Sequence, residues 1–266
     1  MATFNSRTIL PRKIALVLAI HLVAGCVAMA GGTTNTFVAR AEAEFHKTQV
    51  QYQSNTNNPV AAWEFARACF NYADFVTNNA EHAAIARLGI SASRQAIARE
   101  PDSVAGHYYL GLNLGQLARV ETLGALRLVK QMEREFKTAS GLDSRFDDAG
   151  PERTLGLLYR DAPGWPVSIG NRHKALQWLN EAEKIAPASP ENHLNLLETY
   201  LQWHQLADAK QELRELHALW PTAKTNLTGQ AWEQDWADWT ARRDAAEKNL
   251  GETSKMEKSS KTRHNP

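Results

Sequence analysis

The sequence predicts an all-α solenoid of stacked helical hairpins. Between Thr154 and Pro221 one hairpin signature appears twice, and its second pass ends 34 residues after the first. The first pass reads Leu155, Gly156 and Tyr159 on one helix, then Ala175, Leu179, Ala182 and Pro187 along the next. The second reads Leu196, Leu197 and Tyr200, then Ala209, Leu213, Leu216 and Pro221. Small residues belong where two helices cross closely, large ones fill the space between hairpins, and each proline is expected to start a turn. Composition agrees: 43% of residues are hydrophobic, 22% are charged, and eight tryptophans can anchor a core. A formal charge of +1 excludes a general nucleic-acid binder, which needs a basic stripe to neutralise phosphates.

The 34-residue period is the length of a tetratricopeptide repeat, an architecture that presents surfaces to partners. Residues 1–30 precede the repeats as a signal peptide, with Arg7, Arg12 and Lys13 as its basic region and Ile14 to Leu22 as its apolar stretch. Two cleavage sites compete. Val23-Ala24-Gly25-Cys26 resembles a bacterial lipobox, making Cys26 the lipidated first mature residue. Ala28-Met29-Ala30 suits ordinary cleavage before Gly31. An uncleaved anchor from Ile14 to Ala30 is at the short limit for a spanning helix. Every option puts the body outside the cytoplasm, in the periplasm or lipid-anchored facing it. Losing the leader removes those three bases and no acid, so the mature chain is slightly acidic. Cys69 then has no partner for a disulfide, and its apolar helix predicts a small buried hydrophobe.

Residues 31–250 form the repeat domain. Thr36 to Gln53 is a first amphipathic helix, broken by the run from Ser54 to Pro59. Helices Val60–Val76 and Ala80–Arg99 make a degenerate first hairpin. Val104–Leu117 opens the second, and its partner Leu126–Gly141 comes about nine residues late, an excess expected to lengthen one or both helices. Gly111 and Gly115 read as a close helix crossing, not as a membrane-dimer motif. Asp147-Asp148 reads as a solvated, helix-capping turn before the helix Glu152–Tyr159. The insertion Arg160–Asn171 holds two prolines and two glycines and predicts an ordered surface loop. Its Trp165 either meets a partner or folds back on the solenoid as a clamp. Thr228–Leu250 is a capping helix whose Trp232, Trp236 and Trp239 form the buried stripe. Residues 251–266 read as a disordered tail. About four hairpins and one cap result.

Nothing in the sequence marks catalysis, a metal or a cofactor. His173, His193, His204 and His217 are too far apart to place two ligands on adjacent turns of one helix. A nucleophile elbow, P-loop, dinucleotide fingerprint and paired-cysteine zinc site are all missing.

Trp63-Glu-Phe-Ala-Arg-Ala-Cys-Phe, Tyr108-Tyr-Leu-Gly-Leu-Asn-Leu-Gly, the run from Asp148 to Tyr159 and Ala162-Pro-Gly-Trp-Pro-Val-Ser-Ile-Gly170 resemble bacterial envelope proteins related to the T component of TRAP transporters. The arrangement is also similar to that of eukaryotic regulators of microtubule dynamics, a branch that a bacterial lipobox disfavours. The T-component resemblance covers roughly residues 60–220. It implies an all-helical periplasmic lipoprotein lipidated at Cys26, able to oligomerise, that associates with the solute-binding protein of a transporter for organic acids or other hydrophobic ligands. Two functions follow. One is a non-enzymatic scaffold whose concave face holds a protein or peptide. In-frame counting places Tyr108, Gln116, Arg153, Arg160, Glu198 and Gln202 toward that face. The other is a transport accessory that also handles a small ligand, which requires an apolar cavity near Trp165 and the Leu112–Leu114 helix. Neither engages nucleic acid, and the membrane is reached only through the lipid.

Overall fold

The computed structural model describes residues 31–121 and 124–262, and the leader with Cys26 lies outside them. Among the described residues ten α-helices follow in order: α1 (Gly31–Ser54), α2 (Pro59–Ala73), α3 (Asn79–Arg99), α4 (Val104–Val120), α5 (Ala125–Leu142), α6 (Gly150–Asp161), α7 (Arg172–Ile185), α8 (Pro190–Gln202), α9 (Leu206–Asn226) and α10 (Glu233–Thr262). One 3-10 turn, Gln230–Trp232, precedes α10. The pairs α2/α3, α4/α5, α6/α7 and α8/α9 are the four hairpins, and α2 also packs along α4 in the next layer. Among the described residues no helix is long and apolar enough to cross a membrane.

Local chemistry sets the helix starts. The Asn58 side chain accepts from the amides of Val60 and Ala61, with Pro59 in the first turn. Asn78 does the same for α3, Ser103 for α4 and Asn171 for α7. Glycines set the crossings. A methyl on Gly111 would lie 2.4 Å from the Phe136 ring, and one on Gly156 would lie 2.6 Å from Leu179. The same repeat position therefore brings α4 onto α5 and α6 onto α7. The excess residues of the second hairpin do lengthen α4, which runs on to Val120 before α5 starts at Ala125.

The core of the described residues has two large sections and a small third cluster. One spans α1 to α7 around Phe65, Leu114, Phe136 and Tyr159, and holds Cys69, whose thiol burial pushes far above its ordinary range. The other joins α8, α9 and α10 around Leu197, Leu216 and Trp239. Leu157, Leu179 and Leu196 form a third cluster of their own from α6, α7 and α8.

Two elements depart from the sequence reading. Pro221 does not start a turn but lies inside α9, which continues to Asn226. Its missing amide and the crowding of its ring against the preceding turn cost a helix interior ~3 kcal/mol or more. Packing of the adjacent Trp220 against Trp236, ring centroids 5.2 Å apart, holds the helix across that gap. The last helix likewise runs beyond Leu250 to Thr262, into the segment read as a tail.

Candidate functional site

Most of the six residues assigned to the concave face are engaged by the chain's own side chains. Tyr108 is 2% exposed, and its hydroxyl donates to Asp147 Oδ2 at 2.8 Å. Arg153 donates to that same oxygen at 3.1 Å and to Asn192 Oδ1 on α8 at 3.1 Å. Arg160 forms a two-pronged pair with Asp161 and donates to Thr199 Oγ1. Gln116 donates to Asp74 Oδ1 at 2.8 Å and to the Phe70 carbonyl, pinning α4 to the end of α2. Glu198 accepts two bonds from Arg242 of the cap at 2.7 and 2.9 Å. Of the six residues assigned to an open concave face, only Gln202 is left exposed without such a bond. Tyr108 and Gln116 are buried, because α2 and the turn before α6 cover the part of α4 that the sequence frame leaves open.

Asp147 and Asp148 are not caps. Together with Ala149 they hold φ of 53°, 52° and 63°, the left-handed region that side chains other than glycine avoid. The turn is held by the Tyr108 and Arg153 bonds to Asp147 and by Asn192, which donates to the Asp148 carbonyl at 3.0 Å. Gly150 follows because a methyl there would meet the Tyr108 hydroxyl at 2.6 Å.

The cap extends this polar line. Arg242 is buried, bonds Glu191, Glu198, Asn195 and Asp238, and holds the Glu191 carboxyl at about 2 despite its burial. Trp239 donates to Glu191 at 2.7 Å, while Arg40 of α1 reaches Glu233 at 2.6 Å, so the first helix touches the start of the cap. Asp235 lies among these acids. Burial, then the charges of Glu191, Asp238 and Asp147, push its carboxyl up to about 7. Its ordinary value is 3.8, so the folded chain retains a proton that the unfolded chain releases, and stability falls as pH rises from about 4 to about 7. Asp235→Asn is expected to raise Tm by about 2 °C at pH 7.5 and to give no gain at pH 3.5, measured by circular dichroism.

The loop 162–171 is a closed neck with an exposed tip. Gly170 donates to the Pro163 carbonyl at 2.8 Å, and a methyl on Gly170 would lie 2.0 Å from the Ala162 oxygen, so only glycine closes the neck. Ile169 turns in against the core. Trp165 does not fold back: it is 89% exposed, with Val167 beside it 59% exposed. The clamp reading is therefore corrected, because the locked neck holds the tip away from the helices.

A cavity of about 630 Å³ opens between α3, α4 and α5. Its floor includes Leu114, Leu117 and Leu128, and its rim carries Arg87, Arg94 and Arg127. Arg87 pairs with Glu121, while Arg94 and Arg127 have no acidic partner among the described residues. Trp165 does not line it.

Two histidines form equivalent pins. His107 places Nε2 3.0 Å from the Pro101 carbonyl and Nδ1 2.7 Å from Glu135. His193 places Nε2 2.9 Å from the Pro187 carbonyl and Nδ1 2.6 Å from Glu212. Burial pulls the His193 imidazole down, but the Glu212 bond overrides it and the net shift is upward. Glu183 and Glu215 join this second pin, and ligand atoms of the four residues lie within 4.8 Å of one another. The histidine spacings missed this group because its members come from α7, α8 and α9. The legible signal was a histidine six residues after Pro101 and again six residues after Pro187.

No family model matches the chain, and no curated protein matches it. Among solved structures it is similar to TTC0263, a thermophilic TPR protein of Thermus thermophilus, at 19% identity over 81% of this chain and 94% of that one, with a TM-score of 0.58. MamA aligns at 13% identity over 74% and 98% of the two chains, with a TM-score of 0.48. The fold is that of a tetratricopeptide-repeat α-solenoid.

Proposed function

We propose that the chain is a non-enzymatic protein-interaction scaffold of the bacterial cell envelope, with Trp165 as the anchor that its partner buries. The supporting observation is the display of that indole, 89% exposed at the tip of a loop locked at its neck. Tryptophan is enriched at the energetic centres of interfaces, where truncation costs about 2 kcal/mol or more. Helical-repeat arrays use surface loops and faces for such contacts. The envelope location rests on the leader and on Cys26, and mass spectrometry of the mature N-terminus distinguishes acylated Cys26 from free Gly31. Trp165→Ala is expected to leave Tm unchanged, since the side chain packs on little, and to weaken capture of the partner from envelope extract at least ~10-fold. An unchanged partner list would sink the proposal. The T-component resemblance is most distinctive at this same loop, which makes a periplasmic solute-binding protein the first partner to test.

A second reading has its own support in the arginine-rimmed cavity over Leu114. Its size suits a small ligand, and its charge and apolar floor suit a carboxylate with a hydrocarbon body. In that reading the chain is an accessory of a TRAP-type transporter and meets the organic acid as well as its binding protein. Binding of a medium-chain carboxylate that is lost on Arg94→Glu with Arg127→Glu, but kept on Trp165→Ala, would favour it over the plain scaffold.

A further inference from the structure

The two histidine pins are one device used twice, and they differ in their spacing and in the residues beside them. His107 and Glu135 lie 28 residues apart and His193 and Glu212 lie 19 apart, a difference that matches the excess residues of the second hairpin. In the first pin, the position four before the proline is Ile97 and the position three after the glutamate is Thr138. In the second, the same two positions are Glu183 and Glu215. A proline carbonyl, an imidazole and one carboxylate suffice to tie the turn before a hairpin to both of its helices, as the first pin shows. The second adds two carboxylates beside the one already present. Glu183 has no hydrogen-bond donor among the described residues, although it is half-buried against His193 and Glu212. Three carboxylates against one imidazole repel one another unless a cation joins them.

We propose that Glu183, His193, Glu212 and Glu215 form a binding site for a divalent transition-metal ion of the zinc class, which clasps the third hairpin to the fourth. The donor set is one imidazole nitrogen and carboxylate oxygens, which zinc accepts in tetrahedral geometry at about 2.0–2.2 Å. Oxygens and nitrogen around such an ion stand up to about 3.6 Å apart. The four ligand atoms already lie within 4.8 Å, and the half-exposed Glu183 and Glu215 side chains have room to close the remainder. The Pro187 carbonyl holds Nε2 and leaves Nδ1 facing the carboxylates, the outer contact that orients metal-binding histidines. The ion replaces the proton shared by Nδ1 and Glu212, and that proton leaves to solvent. This site is independent of the Trp165 interface.

The test uses the full mature chain without an affinity tag. Zn²⁺ at tens of micromolar is expected to raise Tm by several degrees, and native mass spectrometry to show one tightly held ion per chain. Mg²⁺ at the same concentration is expected to do neither, because it disfavours imidazole. The double variant Glu183→Gln, Glu215→Gln keeps the pin and the fold, which its metal-free circular dichroism checks, and is expected to lose both effects. Absence of a zinc shift in the wild type, an equal shift with Mg²⁺, or a shift retained in the double variant would each overturn the proposal.

Discussion

Replacing Arg242 by methionine is expected to destabilise the protein by about 3–5 kcal/mol, because the change removes the buried cation that pairs directly with Glu191, Glu198 and Asp238. Arg242 is 7% exposed and pairs with Glu191 at 2.9 Å, Glu198 at 2.7 Å and Asp238 at 3.3 Å. An exposed pair would contribute about 0–1 kcal/mol. Here the deleted charge leaves Glu191 and Asp238 facing each other at low local dielectric, and the larger figure governs. The sign with pH follows from Glu191, whose carboxyl sits at about 2 in the folded chain against an ordinary 4.5. Its contribution is present above pH 4.5 and is lost as pH falls toward 2. The Arg242→Met deficit should therefore be largest at neutral pH, about 10 °C in Tm, and shrink to less than half of that near pH 3. Trp220, Trp232, Trp236 and Trp239 cluster at this cap, so its undocking should shift tryptophan emission to the red before the global transition. A loss of about 1 kcal/mol that is flat with pH would show that the cap is held by its tryptophans alone.

The hairpin array was legible from the sequence because its signals are local: Leu155-Gly156 and Leu110-Gly111 mark the crossings, and each predicted hairpin forms near its predicted place. Burial of the inner face was not legible. An in-frame count assigns Tyr108 and Arg153 to an open surface because it assumes ideal turns between hairpins. The turn from Asp143 to Ala149 instead takes three left-handed residues and brings Asp147 back over Tyr108. A similar limit applies to the zinc-class cluster. Its four residues are spread over 33 positions from Glu183 to Glu215 and meet only when α7, α8 and α9 stack. Trp165 was ambiguous for another reason. Sequence shows an ordered loop, but whether its indole turns in depends on the neck, where Gly170 lies against the Ala162 carbonyl.

Gly156→Ala tests whether close crossing or helix propensity governs the third hairpin. Alanine in a helix is favoured over glycine by about 1 kcal/mol. Opposing it, the new methyl would lie 2.6 Å from Leu179 Cγ and 3.1 Å from the Leu179 backbone nitrogen. Leu179 is 1% exposed and packs with Leu157 and Leu196, so it has no free direction in which to move. Forcing extra carbon into such a site costs about 1–3 kcal/mol and splays α6 from α7. The clash wins: Gly156→Ala should lose about 1–2 kcal/mol net, and Gly156→Val, with two further methyls and a stiffer side chain, about 3 kcal/mol or more. The decisive measurement is a double-mutant cycle by urea unfolding. Leu179→Ala alone should cost about 2–5 kcal/mol by leaving a cavity. In that background most of the obstruction is gone and only the tight approach to the backbone remains, so Gly156→Ala should turn neutral or stabilising, a coupling of about 2 kcal/mol. Additivity within ~0.5 kcal/mol would mean that the two residues do not meet, and the crossing geometry of the repeat would have to be redrawn.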